Sequence, residues 1–262
     1  MRKRKLYHEL TFADDFMFWK VMETHLDLGK EILELLLGRP LEDIRIAQRQ
    51  KNCKVSYDSR GIRLDVFVMD DSSRLYDVEM QSTPETNLPK RMRYYGDVID
   101  ITDIQVGAAF KDLKETFIIF ICMNDPFERG LPIYEFSTRC IQNLTIPYED
   151  GLHKIVVNAA CKSKEISKDL QEFFAFLRSG KGTNTLTRRL EEAVADAITR
   201  DDWRVEYMKF EIMLQKEREE GRQEGADLLA EVILRLRNGE NKESIIASGV
   251  DKQLVELAET LI

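Results

Sequence analysis

The chain has 262 residues, 43% hydrophobic and 33% charged, which is enough apolar material for a packed core and enough charge for a well-solvated surface. Its formal charge of −8 excludes a uniformly positive, DNA-coating surface while leaving room for a local basic patch. No apolar window reaches the roughly 18 residues of a membrane helix, and MRKRKLYHEL turns polar too soon for a secretory leader, so a cytoplasmic protein without a membrane partner is expected.

In LTFADDFMFWKVM, Thr11 or Asp14 is available as a cap before apolar residues at Phe16, Trp19 and Met22, broadened by Met17 and Phe18. That spacing predicts a helix over about 13–24. A second helix over about 27–37 is stopped by Gly38-Arg39-Pro40. Ile44 to Tyr57 is polar and partly β-branched, an irregular strand. Between Arg39 and Arg63 seven basic residues (Arg39, Arg45, Arg49, Lys51, Lys54, Arg60, Arg63) face three acids, and Lys90, Arg91 and Arg93 form a second cluster. Each is either solvated surface or a nucleic-acid footprint.

Ile62–Met69 and Arg74–Gln81 read as the strands of a hairpin. Side chains alternate along a strand, so Leu64, Val66, Val68, Tyr76, Val78 and Met80 form one apolar face. A three-residue connection, Asp71-Ser72-Ser73, pairs Asp70 with Arg74, and hence Asp65 with Glu79 and Arg63 with Gln81. A four-residue connection puts the two acids on opposite faces, and only the first register keeps both apolar sets together. Opposed carboxylates repel, and a divalent cation removes the conflict. Two hard oxygen donors are what Mg²⁺ takes while keeping several waters. On spacing alone the alternative stands that both acids face solvent on an exposed sheet.

Further along, Leu88 to about Ile104 reads as a helix with Pro89 in its tolerant first turn. FIIFIC, Phe117–Cys122, is a strand buried on both faces, and Ile133–Arg139 and Lys154–Asn158 are two more. After about residue 165 the pattern is helical almost throughout, with divisions near Asn238-Gly239 and Ser248-Gly249. Cys53, Cys122, Cys140 and Cys161 are scattered without a C-x-x-C pair, and His8, His25 and His153 are isolated. Neither a zinc ribbon nor a nucleophilic triad is indicated.

Taken together, LTFADDFMFWKVM, GIRLDVFVMD, LYDVEMQ, KRMRYYGDVID and TFIIFIC resemble, in that order over about residues 8–160, the PD-(D/E)XK nuclease family transposases, also called the Rpn family of recombination-promoting nucleases. The resemblance implies an α/β, restriction-endonuclease-like core, a mixed sheet flanked by helices, with an all-α C-terminal extension. It also implies Mg²⁺-dependent hydrolysis of DNA, Mn²⁺ being a substitute. By position, Asp65 and Glu79 are the metal ligands, and Gln81 stands where the wider pattern has Lys. Asp15 is a supporting acid with Asp14 as the alternative. Arg91 contacts phosphate or pairs with a structural carboxylate, and Tyr95 packs or hydrogen-bonds nearby. Gln81 can orient water but carries no charge.

The expected division is a nuclease-like domain over 1–163, a helical extension over 164–225 and a small helical module over 226–262. QKEREEGRQEG is polar on all sides, so that part of the long helix projects or bridges, and a homodimer through the helical C-terminal region is expected. The alternative function is a catalytically inactive nuclease fold that binds DNA or other partners.

Overall fold

The computed structural model of the chain describes residues 5–47, 52–53 and 62–262. Much of the expected 44–57 strand, with Arg49, Lys51, Lys54 and Arg60 of the first basic cluster, lies outside the described residues.

The first helix, α1 (Asp15–Thr24), buries Phe16, Met17, Phe18, Trp19, Val21 and Met22. A stripe that broad has to be covered from more than one side, and α1 packs against both the sheet and a later helix. α2 (Leu26–Leu37) has the narrower stripe Leu28, Ile32, Leu33 and Leu36. It ends at Gly38, whose φ of 65° is the left-handed conformation that closes helices.

Strands follow at β1 (Ile44–Ile46), β2 (Asn52–Cys53), β3 (Ile62–Arg63), β4 (Val66–Asp70) and β5 (Leu75–Gln81). Then come α3 (Leu88–Asp103), β6 (Thr116–Cys122), β7 (Ile133–Phe136), β8 (Arg139–Cys140), β9 (Asn143–Pro147) and β10 (Leu152–Asn158). The main sheet has the order β1-β4-β5-β6-β10-β7. β1, β4 and β5 are antiparallel neighbours, whereas β5, β6 and β10 run parallel. The parallel step requires a crossover, and α3 supplies it. Leu88, Met92, Tyr95, Val98 and Ile99 of α3 lie on Phe67, Leu75, Ile118, Phe120 and Val156 of the sheet. Gly96 lets α3 approach closely, since a Cβ there would meet Leu152 Cδ2 at 3.0 Å. α1 packs on β4 and β5 and α2 on β1, and every residue of β6 is buried.

The structure departs from the sequence expectation in three places. The strand expected over Ile62–Met69 is interrupted at Leu64-Asp65, so that β3 pairs with β2 and β4 joins the main sheet. The strand expected over Ile133–Arg139 divides into β7 and β8, and β8 pairs with β9 in a separate exposed ribbon. The helices α4 (Lys168–Ser179) and α5 (Thr185–Thr199) sit with the sheet rather than in a separate extension. Phe12 meets Phe176 with ring centroids 5.7 Å apart, the Tyr7 hydroxyl donates to the Ala197 carbonyl at 2.7 Å, and Arg189 pairs with Asp27 and Glu31 of α2.

The chain accordingly divides into compact units Met1–Asp201 and Asp202–Ile262. In the second, α6 (Asp201–Arg237) runs unbroken through Gly221 and Gly225, so residue 225 lies inside a helix rather than at a boundary. Val232 of α6, Ile245 of α7 (Lys242–Ala247) and Val255 and Ala258 of α8 (Lys252–Glu259) form its core. Asn241 and Asp251 cap α7 and α8, and the expected divisions carry Gly239 and Gly249 at φ 87° and 98°. Among the described residues no helix is long and apolar enough to cross a membrane.

Candidate functional site

The β4–β5 hairpin has the three-residue register: Val66 faces Val78, Phe67 faces Asp77 and Met69 faces Leu75. At the turn the Asp70 and Arg74 backbones are bonded at 3.1 Å. Continued by one step, the ladder sets Asp65 opposite Glu79, but there the backbone pairing stops and the two acids replace it. The Asp65 N–H donates to Glu79 Oε1 at 2.8 Å, and the Met80 N–H donates to Asp65 Oδ2 at 3.2 Å. Each carboxylate thus satisfies an amide on the opposite strand, which brings both side chains into the gap at the strand ends. Glu79 is 2% exposed, so the solvent-facing alternative does not describe it.

Arg91, one turn into α3, reaches down to the same place. Its guanidinium donates to Glu79 Oε2 at 3.2 Å, to Gln81 Oε1 at 2.8 Å and to the Tyr95 hydroxyl at 2.9 Å. Its carbon also lies 5.1 Å from the Tyr95 ring centre and 5.0 Å from that of Phe120, a cation–π setting on two faces. Burial lowers the Arg91 pKa, but Tyr95 and Glu79 outweigh it and the net shift is upward. Arg91 is therefore a permanent charge at the site. The Tyr95 hydroxyl is pushed up by burial and by Glu79 and stays protonated. Gln81 is held at both ends of its amide, since its Nε2 also donates to the Thr83 carbonyl at 2.7 Å.

Asp15, at the start of α1, accepts from the Ser82 hydroxyl at 3.3 Å. A contact 67 residues apart in sequence therefore brings it to the residue after Gln81. Asp14, its alternative, is engaged elsewhere, accepting from the Thr11 amide and hydroxyl at 2.8 and 2.9 Å and from Lys5 at 2.5 Å.

The structure adds two residues that the sequence reading passed over. Phe120 is the floor under Arg91; within an all-apolar strand nothing marked it apart from its neighbours. Asp77 is the other. It is 0% exposed, and its two carboxyl oxygens are the only buried side-chain oxygens without a hydrogen-bond donor among the described residues. The only signal for it was an acid two residues before Glu79, hence on the same face of β5. Burial, then the nearby Asp65, drives the Asp77 carboxyl well above the usual carboxylate range. Burial and Asp77 do the same to Glu79 against the opposing pull of the Asp65 amide and Arg91.

Asp65, Asp77 and Glu79 bring three carboxyls to the neighbourhood of the Arg91 guanidinium. Such a donor set suits a hard cation. Among the described residues no group of three or more His, Cys, Asp or Glu side chains converges into a full ligand cage. Asp65 and Glu79 are the two carboxylates that would hold such a cation.

Residues 13–139 match the family model described as PD-(D/E)XK nuclease family transposase. The matched span starts just before α1, ends in β8 and contains Asp15, Asp65, Glu79, Gln81, Arg91 and Tyr95. No curated protein and no solved structure matches the chain.

Proposed function

Because residues 13–139 belong to the PD-(D/E)XK nuclease family transposases, we propose that this protein is a metal-dependent deoxyribonuclease that hydrolyses DNA phosphodiester bonds in recombination or in the movement of a mobile element. The observation that carries the reading is the exchange between the acids, with the Asp65 amide on Glu79 and the Met80 amide on Asp65. It ties two carboxylates together at the ends of neighbouring strands, beside a fixed guanidinium.

In this reading Asp65 and Glu79 hold Mg²⁺, or Mn²⁺ in its place. A bound divalent ion lowers the pKa of a water and offsets charge on the phosphodiester. Gln81 orients the attacking water with the donor and acceptor capacity its amide has left. Arg91, bonded to both Glu79 and Gln81, supplies the positive charge that an amide at position 81 lacks, and it draws the scissile phosphate toward the acids. Tyr95 and Phe120 hold the guanidinium in place, and Asp15 braces the end of β5 through Ser82. The test is incubation of the purified protein with supercoiled plasmid and Mg²⁺ or Mn²⁺, alongside Asp65→Ala. Nicking that needs both metal and Asp65 supports the reading.

A second reading, a nuclease fold that binds DNA without cutting it, draws on the Glu79–Arg91 pair and on Gln81. Arg91 occupies one oxygen of Glu79, and position 81 brings no charge of its own. Metal-independent plasmid binding without nicking favours it. Self-association is proposed for the C-terminal helices, where α6 exposes Val205, Met208 and Ile212 along one stripe. Light scattering on the whole chain and on Ile212→Glu measures it: a dimer mass that falls to the monomer value is the supporting result.

A further inference from the structure

Arg91 gives the proposed site one contact with phosphate, whereas a duplex is held in register by several. β5, β6 and β10 run parallel and end together, Gln81 level with Cys122 and Cys122 with Asn158. Ligands of α/β sheets gather outside such carboxyl ends. Three segments border that edge beside Glu79 and Gln81: the start of α3, the loop after β6 and the loop after β10.

The border is tied together by its own bonds. The Met123 amide donates to the Gln81 carbonyl at 3.0 Å, and the Ala159 amide to the Cys122 carbonyl at 2.9 Å. The two loops are joined directly, Asn158 Nδ2 donating to the Leu131 carbonyl at 3.0 Å and Cys161 Sγ to the Gly130 carbonyl at 3.5 Å. Arg129 precedes Gly130 and Lys162 follows Cys161, so that last bond sets two cations on adjoining loops. Lys164 lies further along the second loop, and Lys90 and Arg93 lie in the first turns of α3. All five are exposed, and among the described residues none makes an ion pair. The acids interspersed with them, Glu85, Glu128 and Glu165, are fewer, and Asp125 is taken up by loop amides and the Tyr134 hydroxyl.

The opposite edge has the reverse character. The segments leading into β5, β6 and β10 carry Asp71, Asp112, Glu115, Glu149 and Asp150. Their cations Arg74 and Lys114 are paired with Asp70 and Asp103, which leaves Lys111. In a chain of net charge −8, one edge of the sheet repels phosphate and the edge that holds Arg91 attracts it.

We propose that Lys90, Arg93, Arg129, Lys162 and Lys164 are substrate-positioning residues that hold the backbone of a DNA duplex along the carboxyl edge of β5, β6 and β10, on either side of Arg91. The inference rests on the reading of DNA as the substrate and does not require hydrolysis. Two strand steps of about 4.8 Å separate β5 from β10. That distance covers roughly three nucleotides of rise along one DNA strand, so Arg91 and the Arg129–Lys162 loops are spaced to grip one stretch of backbone.

The test is the anisotropy of a short fluorescein-labelled duplex of mixed sequence, read in EDTA over a series of salt concentrations. Each phosphate contact contributes about 0.9 to the slope of log K against log salt. Arg129→Gln/Lys162→Gln is therefore expected to flatten the slope by about 1–2. Lys111→Gln/Arg139→Gln removes the same charge from exposed positions away from this edge and is expected to leave the slope as it is. Three results overturn the proposal: no flattening in the first pair, equal flattening in both pairs, or no duplex binding by the wild type at low salt. The expected slopes without any nicking of plasmid in Mg²⁺ or Mn²⁺ remove the hydrolase reading and leave the DNA track standing. Metal-dependent nicking with a slope indifferent to Arg129 and Lys162 does the opposite.

Discussion

The two ends of the β4–β5 hairpin bury acids in opposite ways. At the turn, Asp70 is 0% exposed and accepts from the Arg74 amide at 2.9 Å, the Arg74 side chain at 2.7 Å and the Tyr76 hydroxyl at 2.9 Å. Burial pushes its pKa up, but those donors win and hold it below the usual range. The same partnership raises Tyr76 to about 12, after burial. At the far end, Asp77 and Glu79 are just as buried, lie near the Arg91 guanidinium and go the other way. Same strands, same burial, opposite sign: what differs is the supply of donors. Where the acid belongs to the architecture, the chain completes its hydrogen bonds. At the open end Glu79 accepts from the Asp65 amide and the Arg91 guanidinium, but burial and the neighbouring acid outweigh them, and Asp77 has no donor among the described residues.

The largest expected effect is at the open end. Asp65→Ala should lower metal-dependent nicking by about a thousandfold, the rate equivalent of several kcal/mol of lost charge stabilisation, while the urea midpoint moves little. A large loss of stability together with activity would break the contrast, since it would make Asp65 as architectural as Asp70. The reverse holds at the turn. Asp70→Asn should cost about 2–3 kcal/mol of unfolding free energy, the scale of charged hydrogen bonds left incomplete, with nicking per folded molecule unchanged.

The pH profiles should differ as well. The folded pKa of Asp70 is depressed, so its stabilisation is fully present above the unfolded value near 4 and disappears as pH falls through the folded value. Acid unfolding of Asp70→Asn should lack that limb. For Asp77 and Glu79 the folded values are raised, so their contribution to stability declines as pH rises from the ordinary carboxylate range toward those values.

Arg91→Lys tests the guanidinium of the open end. It keeps the charge but loses the fork that joins Glu79, Gln81 and Tyr95, and a drop of about tenfold in nicking with unchanged DNA binding is expected. The smallest effect lies in the turn, where Ser73 takes a φ of 63°. Ser73→Gly should raise unfolding free energy by about 0.5–1 kcal/mol, read from the urea midpoint, without altering the nicking rate.

Much of this was legible in the residues. Alternation in RLDVFVMD and LYDVEMQ fixed the register, because any other would split the apolar set; the family motif then pointed to Asp65, Glu79, Gln81, Arg91, Tyr95 and Asp15, all of which lie around the end of β5. What stayed hidden depends on tertiary cover. LYDVEMQ reads as a one-sided strand, yet α3 lies over its polar side, and only that cover turns Asp77 into a buried acid without donors. The break at Leu64-Asp65 was equally invisible, because side chains took over bonds that a ladder would have made. The placement of α4 and α5 depends on partners such as Phe12 and Tyr7, more than 160 residues earlier, which local periodicity does not reveal.

The connection Asp71-Ser72-Ser73 works as a gauge. It counts out the step that lands Asp65 beside Glu79, although it sits about 17 Å away along the strand. Adding or deleting one residue there would rotate the whole of β4 by half a pleat and send Asp65 to the opposite side of the sheet. Length polymorphism in that short loop, a kind usually harmless at a protein surface, would therefore disarm this molecule without touching any residue near its acids.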